Sequence, residues 1–189
     1  MGVKFVKGQH VDFSDLMSKK QSVFVFEFWA TWCGPCRQTV GHLTQLQKQY
    51  ESQNVIFVGI SDEDETTVKR FVDQMGSKMD YRVAIDRNRK MNENYMQSFN
   101  VRGIPHAFIV DKEGKIAWHG HPGEGSFGVE IQKAVNARAK PSIDHKSMSE
   151  EQQNVLSVSD IKSILKYHHV DFSGAVEKQD LLDLLRSKC

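Results

Sequence analysis

Two cysteines, Cys33 and Cys36, sit two residues apart in the run Trp32-Cys33-Gly34-Pro35-Cys36. Thiols at this spacing serve one of three purposes: exchange with other disulfides, half of a zinc site, or a structural disulfide. Zinc needs two more ligands, and the chain holds no second C-x-x-C. Its eight histidines include His119-x-His121 and His168-His169, neither at a partner spacing. The neighbouring sequence favours exchange. Val23 to Trp29 is β-branched and aromatic almost throughout, the pattern of a strand buried on both faces. After Cys33, Val40, Leu43, Leu46 and Tyr50 recur at helical spacing. Cys33 therefore belongs to a strand-to-helix junction, where unpaired backbone N–H groups and the helix dipole stabilise a thiolate. Cys33 is the expected attacking thiol. Cys36, in the first helical turn, is the expected resolving thiol, and Pro35 stiffens that turn where a missing N–H costs little.

The elements that must hold this pair can be read on either side of it. Val55 to Ile60 reads as a second buried strand, Glu65 to Met75 as a helix, and Tyr81 to Ile85 as a short third strand. Lys90 to Phe99 reads as a helix. Ala107 to Val110 and Lys115 to His119 flank the turn Asp111-Lys112-Glu113-Gly114, and Ser126 is placed to cap a helix running to about Ala139. Strands alternating with helices predict an α/β layered fold with an antiparallel hairpin at one side.

The 189 residues are 39% hydrophobic and 26% charged, an ordinary globular composition. Such a length accommodates one full core plus a small appendage. Lys and Arg number 25 against 24 Asp and Glu, for a net charge of +1. That balance gives no general argument for nucleic acid. Three cysteines, the third being Cys189, are too few for a stapled secreted framework. The longest apolar run, Val23 to Ala30, is interrupted by Glu27 and falls far short of the roughly 20 residues of a membrane-spanning helix. The first twenty residues lack a signal-peptide pattern, and Val6 stands where a myristoylation signal needs Ser or Thr. A cytoplasmic, reducing setting without membrane attachment is the expectation.

The segment Phe28-Trp29-Ala30-Thr31-Trp32-Cys33-Gly34-Pro35-Cys36 resembles the active-site segment of the thioredoxin superfamily. Val101-Arg102-Gly103-Ile104-Pro105 resembles that family's Gly-Ile-Pro segment, and the two come in the expected order. The resemblance implies a thioredoxin-like fold and a redox-active Cys33–Cys36 disulfide with no other cofactor and no metal. It makes Cys33 the nucleophile, Cys36 the resolving cysteine, Trp32 the exposed aromatic beside them, and Pro105 a cis-proline against the pair. The backbone of Ile104 would pair with a bound substrate, which Gly34 and Pro35 also face. Glu27 falls where thioredoxins carry a buried acid; desolvation would raise its pKa and suit it to take the Cys36 proton, the alternative being an edge carboxylate. The chain between Cys36 and Pro105 is longer than a minimal thioredoxin uses, implying an additional β/α insertion as in the TlpA-type, redoxin-like or tryparedoxin/nucleoredoxin-like branch. His106 follows Pro105, either tuning the site or serving as a strand residue beside it. The Pro-x-x-x-Thr/Ser-x-x-Cys setting of a peroxidatic cysteine is absent upstream of the pair.

Residues 140–154 are poor in large apolar groups and read as a solvated linker between a redox domain, 1–139, and a module at 155–189. In that module Val158, Ile161, Ile164 and Leu165 form one helical stripe and Leu181, Leu182, Leu184 and Leu185 another, around an extended Val170 to Ala175. The pattern resembles a SAP-like helix-extended-helix, or the carboxy domain of the mesencephalic astrocyte-derived neurotrophic factor (ARMET) family. Five basic residues face five acidic ones over 155–189, so the module is neutral and suits a protein contact better than phosphate. Cys189 is expected to be a free, mobile thiol, with a regulatory bond to Cys33 as the alternative.

Two functions are consistent with these features. The first is a protein-disulfide reductase served by a thioredoxin-reductase-like or dithiol electron donor and acting on disulfide-containing proteins. The second is a redox-linked adaptor whose domains recruit protein partners.

Overall fold

The computed structural model describes residues 3–19, 21–137 and 143–189. The chain divides into two compact units, Met1–Ala137 and Arg138–Cys189. The first is built on a six-stranded sheet in the order β1-β4-β3-β2-β5-β6. Its strands are β1 (Lys4–Lys7), β2 (Val23–Phe28), β3 (Val55–Ser61), β4 (Arg82–Ile85), β5 (His106–Val110) and β6 (Ile116–Gly120). Strands β2, β3 and β4 run parallel, while β1, β5 and β6 join antiparallel. The hairpin β5–β6 closes one side, as its turn residues predicted.

Every residue of β2 is buried, because both faces of the sheet are covered. On one face Val23 and Val25 pack with Leu43 of α2 (Gly34–Gln49), Val68 and Val72 of α3 (Glu65–Met75), and Phe127 and Ile131 of α4 (Phe127–Asn136). On the other, Phe24, Phe26 and Phe28 pack with Phe13 of α1 (Phe13–Ser18), Tyr95 and Phe108. Phe26 meets Phe13 and Tyr95 edge to face at 5.1 and 5.3 Å between ring centroids, a geometry that adds to plain burial.

Two elements had no clear sequence signal. Strand β1 is an edge strand with a half-exposed pattern. Helix α1 is short and fixed by Asp12, whose side chain accepts from the N–H groups of Ser14 and Asp15. Two readings are corrected. The expected helix from Lys90 to Phe99 is mostly a π-helical turn, Asn92–Gln97, whose wider winding turns Tyr95 and Met96 into the core. Ser126 has helical backbone angles and its side chain makes no capping bond. Residues 138 and 139 at the end of that expected helix lie outside the described residues.

The second unit contains α5 (Glu150–Asn154), α6 (Val158–Tyr167) and α7 (Lys178–Lys188). Leu156, Ile161, Ile164, Leu165, Leu181, Leu182 and Leu185 form its core. The solvated linker expected over 140–154 is corrected as far as it is described. Residues 140–142 lie outside the described residues, but Ile143 and Met148 pack against the core. Helix α5 starts on a reciprocal Ser149–Gln152 cap. Arg186 of α7 donates to Asn154 Oδ1 at 2.8 Å and to Gln153 Oε1 at 3.2 Å. A polar sequence here is a folded turn held by side-chain hydrogen bonds. Among the described residues no helix is long and apolar enough to cross a membrane.

Candidate active site

Strand β2 ends at Phe28, and three backbone bonds shape the turn into α2: Trp29 N–H to Ile60 O, Cys33 N–H to Ala30 O, and Arg37 N–H to Cys33 O. Cys33 is the N-cap of α2, in extended conformation, and its Sγ accepts from the Cys36 N–H at 3.2 Å. This is the position at which a helix terminus stabilises negative charge on sulfur. Cys33 and Cys36 are joined as a disulfide with an S–S distance of 2.08 Å. Cys33 is 4% exposed and Cys36 not at all, the order expected of attacking and resolving sulfurs.

The second segment meets the first here. The Ile104–Pro105 peptide is cis, and the Ile104 carbonyl oxygen lies 3.7 Å from Cys33 Sγ. Trp32, 71% exposed, stands beside the pair. Trp32 and Ile104 share a cleft of about 370 Å³ whose other walls include Arg89 and Gln97 from the insertion between α3 and β5. A larger concavity of about 510 Å³ between Lys7, Gln47 and Tyr81 touches neither cysteine. A side chain added at Gly34 would meet nothing within 4 Å, so the disulfide rim is open on that side.

Glu27 lies under the site in β2, only 2% exposed. Its neighbours across the sheet are Gly59 and Ala107, two small residues that leave room for a carboxyl group. Burial pushes its pKa from the ordinary 4.5 up to about 8, with nearby Thr39 pulling weakly the other way. Thr39 has one hydroxyl proton and donates it to the Cys36 carbonyl at 2.8 Å. Among the described residues neither carboxyl oxygen of Glu27 has a hydrogen-bond partner, so desolvation dominates. Thr39 thus adjoins both Glu27 and the Cys36 backbone. The Tyr81 hydroxyl is buried without a partner among the described residues, and its pKa is raised first by burial and then by the charge of Glu27.

Glu63 went unrecognised in the sequence. Its carboxylate accepts from the backbone N–H and the hydroxyl of Thr31, each at 2.7 Å, and from Ser61 Oγ at 3.1 Å. It clamps the loop that leads into Trp32 and Cys33. The available signal was its place just past β3, at the carboxyl edge of the parallel strands where α/β folds build their sites. His106 packs its ring against Phe108 and pairs with His119 at 3.0 Å between Nε2 and Nδ1. That makes it a strand residue of the opposite sheet face from Glu27, since neighbours along a strand alternate.

A disulfide at a helix start, beside a cis-proline segment and above a buried acid, defines a thioredoxin-like redox domain. Residues 2–119 match the model of the AhpC/TSA family, and the chain belongs to that family. Among curated proteins it is 33% identical over 112 residues to thiol-disulfide oxidoreductase ResA of Bacillus thuringiensis (strain Al Hakam), covering 59% of this chain and 60% of that protein. The match thus spans less than two thirds of the relative's length. A thiol:disulfide interchange protein of the thioredoxin family from Chlorobium tepidum TLS is 26% identical, with a TM-score of 0.55 over 69% of this chain and 90% of its own. The thioredoxin domain of a thiol-disulfide oxidoreductase from Bacteroides vulgatus shares the fold at 21% identity and a TM-score of 0.57, over 71% and 94%. Residues 146–187 match the model of an E3 ubiquitin-protein ligase rififylin-like domain.

Proposed function

We propose that the chain is a thiol–disulfide oxidoreductase that reduces disulfide-containing proteins. The observation that carries this reading is the Cys33 sulfur at the N-cap of α2, 3.7 Å from the Ile104 carbonyl. In the reduced enzyme the Cys33 thiolate attacks one sulfur of a substrate disulfide. A Cys33–substrate disulfide forms and the other substrate sulfur leaves as a thiolate. Cys36 then gives its proton to Glu27 and attacks Cys33 Sγ, releasing the second substrate thiolate and leaving the Cys33–Cys36 disulfide. A carboxyl whose pKa is about 8 lies close to a thiol's, and its ionised fraction, about a tenth at pH 7 and about half at pH 8, is the form that receives that proton. Trp32, Gly34, Pro35, Ile104 and Pro105 form the substrate platform, and an extended substrate segment pairs with the Ile104 backbone. A thioredoxin-reductase-like protein or a small dithiol returns two electrons to the disulfide. The Gly-Pro pair, by its likeness to thioredoxin, favours reducing work in a cytoplasmic setting, with no metal or further cofactor at the disulfide.

The SAP-like helical module, with five basic and five acidic residues over 155–189, serves a protein contact in this reading. The test of the redox reading is insulin reduction with dithiol regeneration. The wild-type chain accelerates it, and Cys33→Ser lowers the rate by roughly 10³-fold or more, as loss of a nucleophile does. Wild-type turnover in Cys33→Ser would overturn the mechanism.

A further inference from the structure

The Arg138–Cys189 unit brings together three side chains that the redox chemistry does not use. His145, His168 and Cys189 each offer one donor atom, and all three atoms lie within 4.8 Å of one another. They come from three separate places: the single turn His145–Ser147, the C-cap of α6 and the C-cap of α7. The chain fixes each of them. The Gln153 side chain donates to the His145 carbonyl at 3.0 Å. Helix α6 ends with Val170 N–H bonded to Leu165 O and His169 N–H to Lys166 O, a Schellman closure. His169 takes the left-handed position there, at φ 59. Of the adjacent histidines, that closure leaves His168 with the cluster and His169 exposed. Cys189 N–H bonds to Leu185 O, continuing the last turn of α7.

A second observation points to a ligand. His145 is 6% exposed, and among the described residues its buried Nε2 has no hydrogen-bond partner. A buried imidazole nitrogen without a partner carries a desolvation cost that a coordinated cation would relieve. The unit also has reason to use one. Seven buried apolar side chains make up its core among the described residues, and units this small commonly rely on a metal or a disulfide for stability.

We propose that His145, His168 and Cys189 bind one zinc ion. Two imidazoles and a thiolate are the borderline and soft donors that select Zn²⁺ over Mg²⁺ or Ca²⁺. Around a tetrahedral zinc such donors stand roughly 3.3–3.6 Å apart, so the cluster closes by about an ångström on loading. Cys189, half-buried at the end of α7, supplies that movement. The thiol gives up its proton on binding, and the fourth position goes to water. The ion ties the ends of α6 and α7 to the turn at His145, contributing to the stability of the unit rather than to catalysis.

The experiment uses the full chain with Cys33–Cys36 oxidised, so that Cys189 supplies the only free thiol and the C-x-x-C pair cannot compete for metal. Co²⁺ titration is expected to give one equivalent bound, with a thiolate-to-metal charge-transfer band and tetrahedral d–d bands that Zn²⁺ abolishes. Zn²⁺ alone, followed by calorimetry, should bind at one per chain and raise the melting temperature of this unit. Cys189→Ser removes the charge-transfer band, and Cys189→Ser and His168→Gln each weaken Zn²⁺ binding by about 100-fold or more. Both positions are half-buried, so these two variants keep the test valid even if His145→Gln disturbs folding. His169→Gln, beside the cluster and exposed, leaves affinity unchanged. Absence of a charge-transfer band, or a band that survives Cys189→Ser, would overturn the site, as would equal losses in His168→Gln and His169→Gln. None of these outcomes depends on disulfide reductase activity.

Discussion

Cys33 opens a helix and Cys189 closes one, and that difference gives the same side chain two kinds of chemistry. At the start of α2 the Cys33 sulfur accepts a backbone N–H and faces the positive end of the helix dipole. Cys189 sits at the carbonyl end of α7, and burial pushes its thiol above the ordinary value while Lys146 pulls the other way. The first environment suits the nucleophile proposed for it. The second favours the protonated thiol, whose proton the proposed zinc would displace. Reactivity is thus assigned by helix polarity and solvation, since the residue type is the same in both places.

The largest expected effect tests that contrast directly. In the fully reduced chain at neutral pH, competitive alkylation is expected to modify Cys33 about 100-fold faster than Cys189, because the thiolate fraction sets the rate. Peptide mass spectrometry reads both sites in one sample, and equal rates would remove the electrostatic argument. Next in size, Glu27→Gln slows resolution of the mixed disulfide by about 10²-fold, the usual contribution of a positioned base, and leaves Cys189 alkylation unchanged. Stopped-flow release of the second substrate thiol measures that step.

Glu27 also makes a signed prediction for stability. Its folded pKa of about 8 exceeds the unfolded 4.5, so the folded state holds a proton that the unfolded state has lost between those limits. Stability therefore falls as pH rises from 4.5 to 8 and levels off above, with a slope of up to about 1.4 kcal/mol per pH unit from this group. Below pH 4.5 the group contributes no slope. Denaturant titrations across that window should show the slope in wild type and its loss in Glu27→Gln, which becomes the more stable protein near pH 8. Smaller again is Gly59→Ala. The new Cβ would lie 2.8 Å from Trp29 Nε1, in front of the indole that precedes the active-site loop, and a loss of about 1–3 kcal/mol is expected. Smallest is Glu63→Gln, which leaves Thr31 one acceptor where it had two and costs about 1 kcal/mol in the same titration.

The parts of the fold legible in the sequence were those whose pattern is local. Strand β2, helix α2 and helix α3 each carry their periodicity within one contiguous run, and the disulfide, the cis-proline segment and Glu27 lie in or beside such runs. What was missed is made by partners far apart. Strand β1 exists because β4, some eighty residues on, offers it an edge. Glu63 is an ordinary surface acid until the loop fold brings Thr31 to it. Residues 143–154 are polar and mostly exposed, and what the sequence did not show is that several of their polar groups also bond to α7 and to one another. The His145–His168–Cys189 cluster draws on positions 44 residues apart at its widest, 145 and 189, so no spacing rule could find it.

The proposed order of events has Cys33 attack and Cys36 resolve. Trapping with Cys36→Ser tests it most directly. Incubated with a protein disulfide, the reduced variant should accumulate a covalent adduct on Cys33 that dithiothreitol releases, identified by mass spectrometry of the joined peptides. An adduct on Cys189 instead, or no adduct while Cys36→Ser still turns over like wild type, would contradict the assignment.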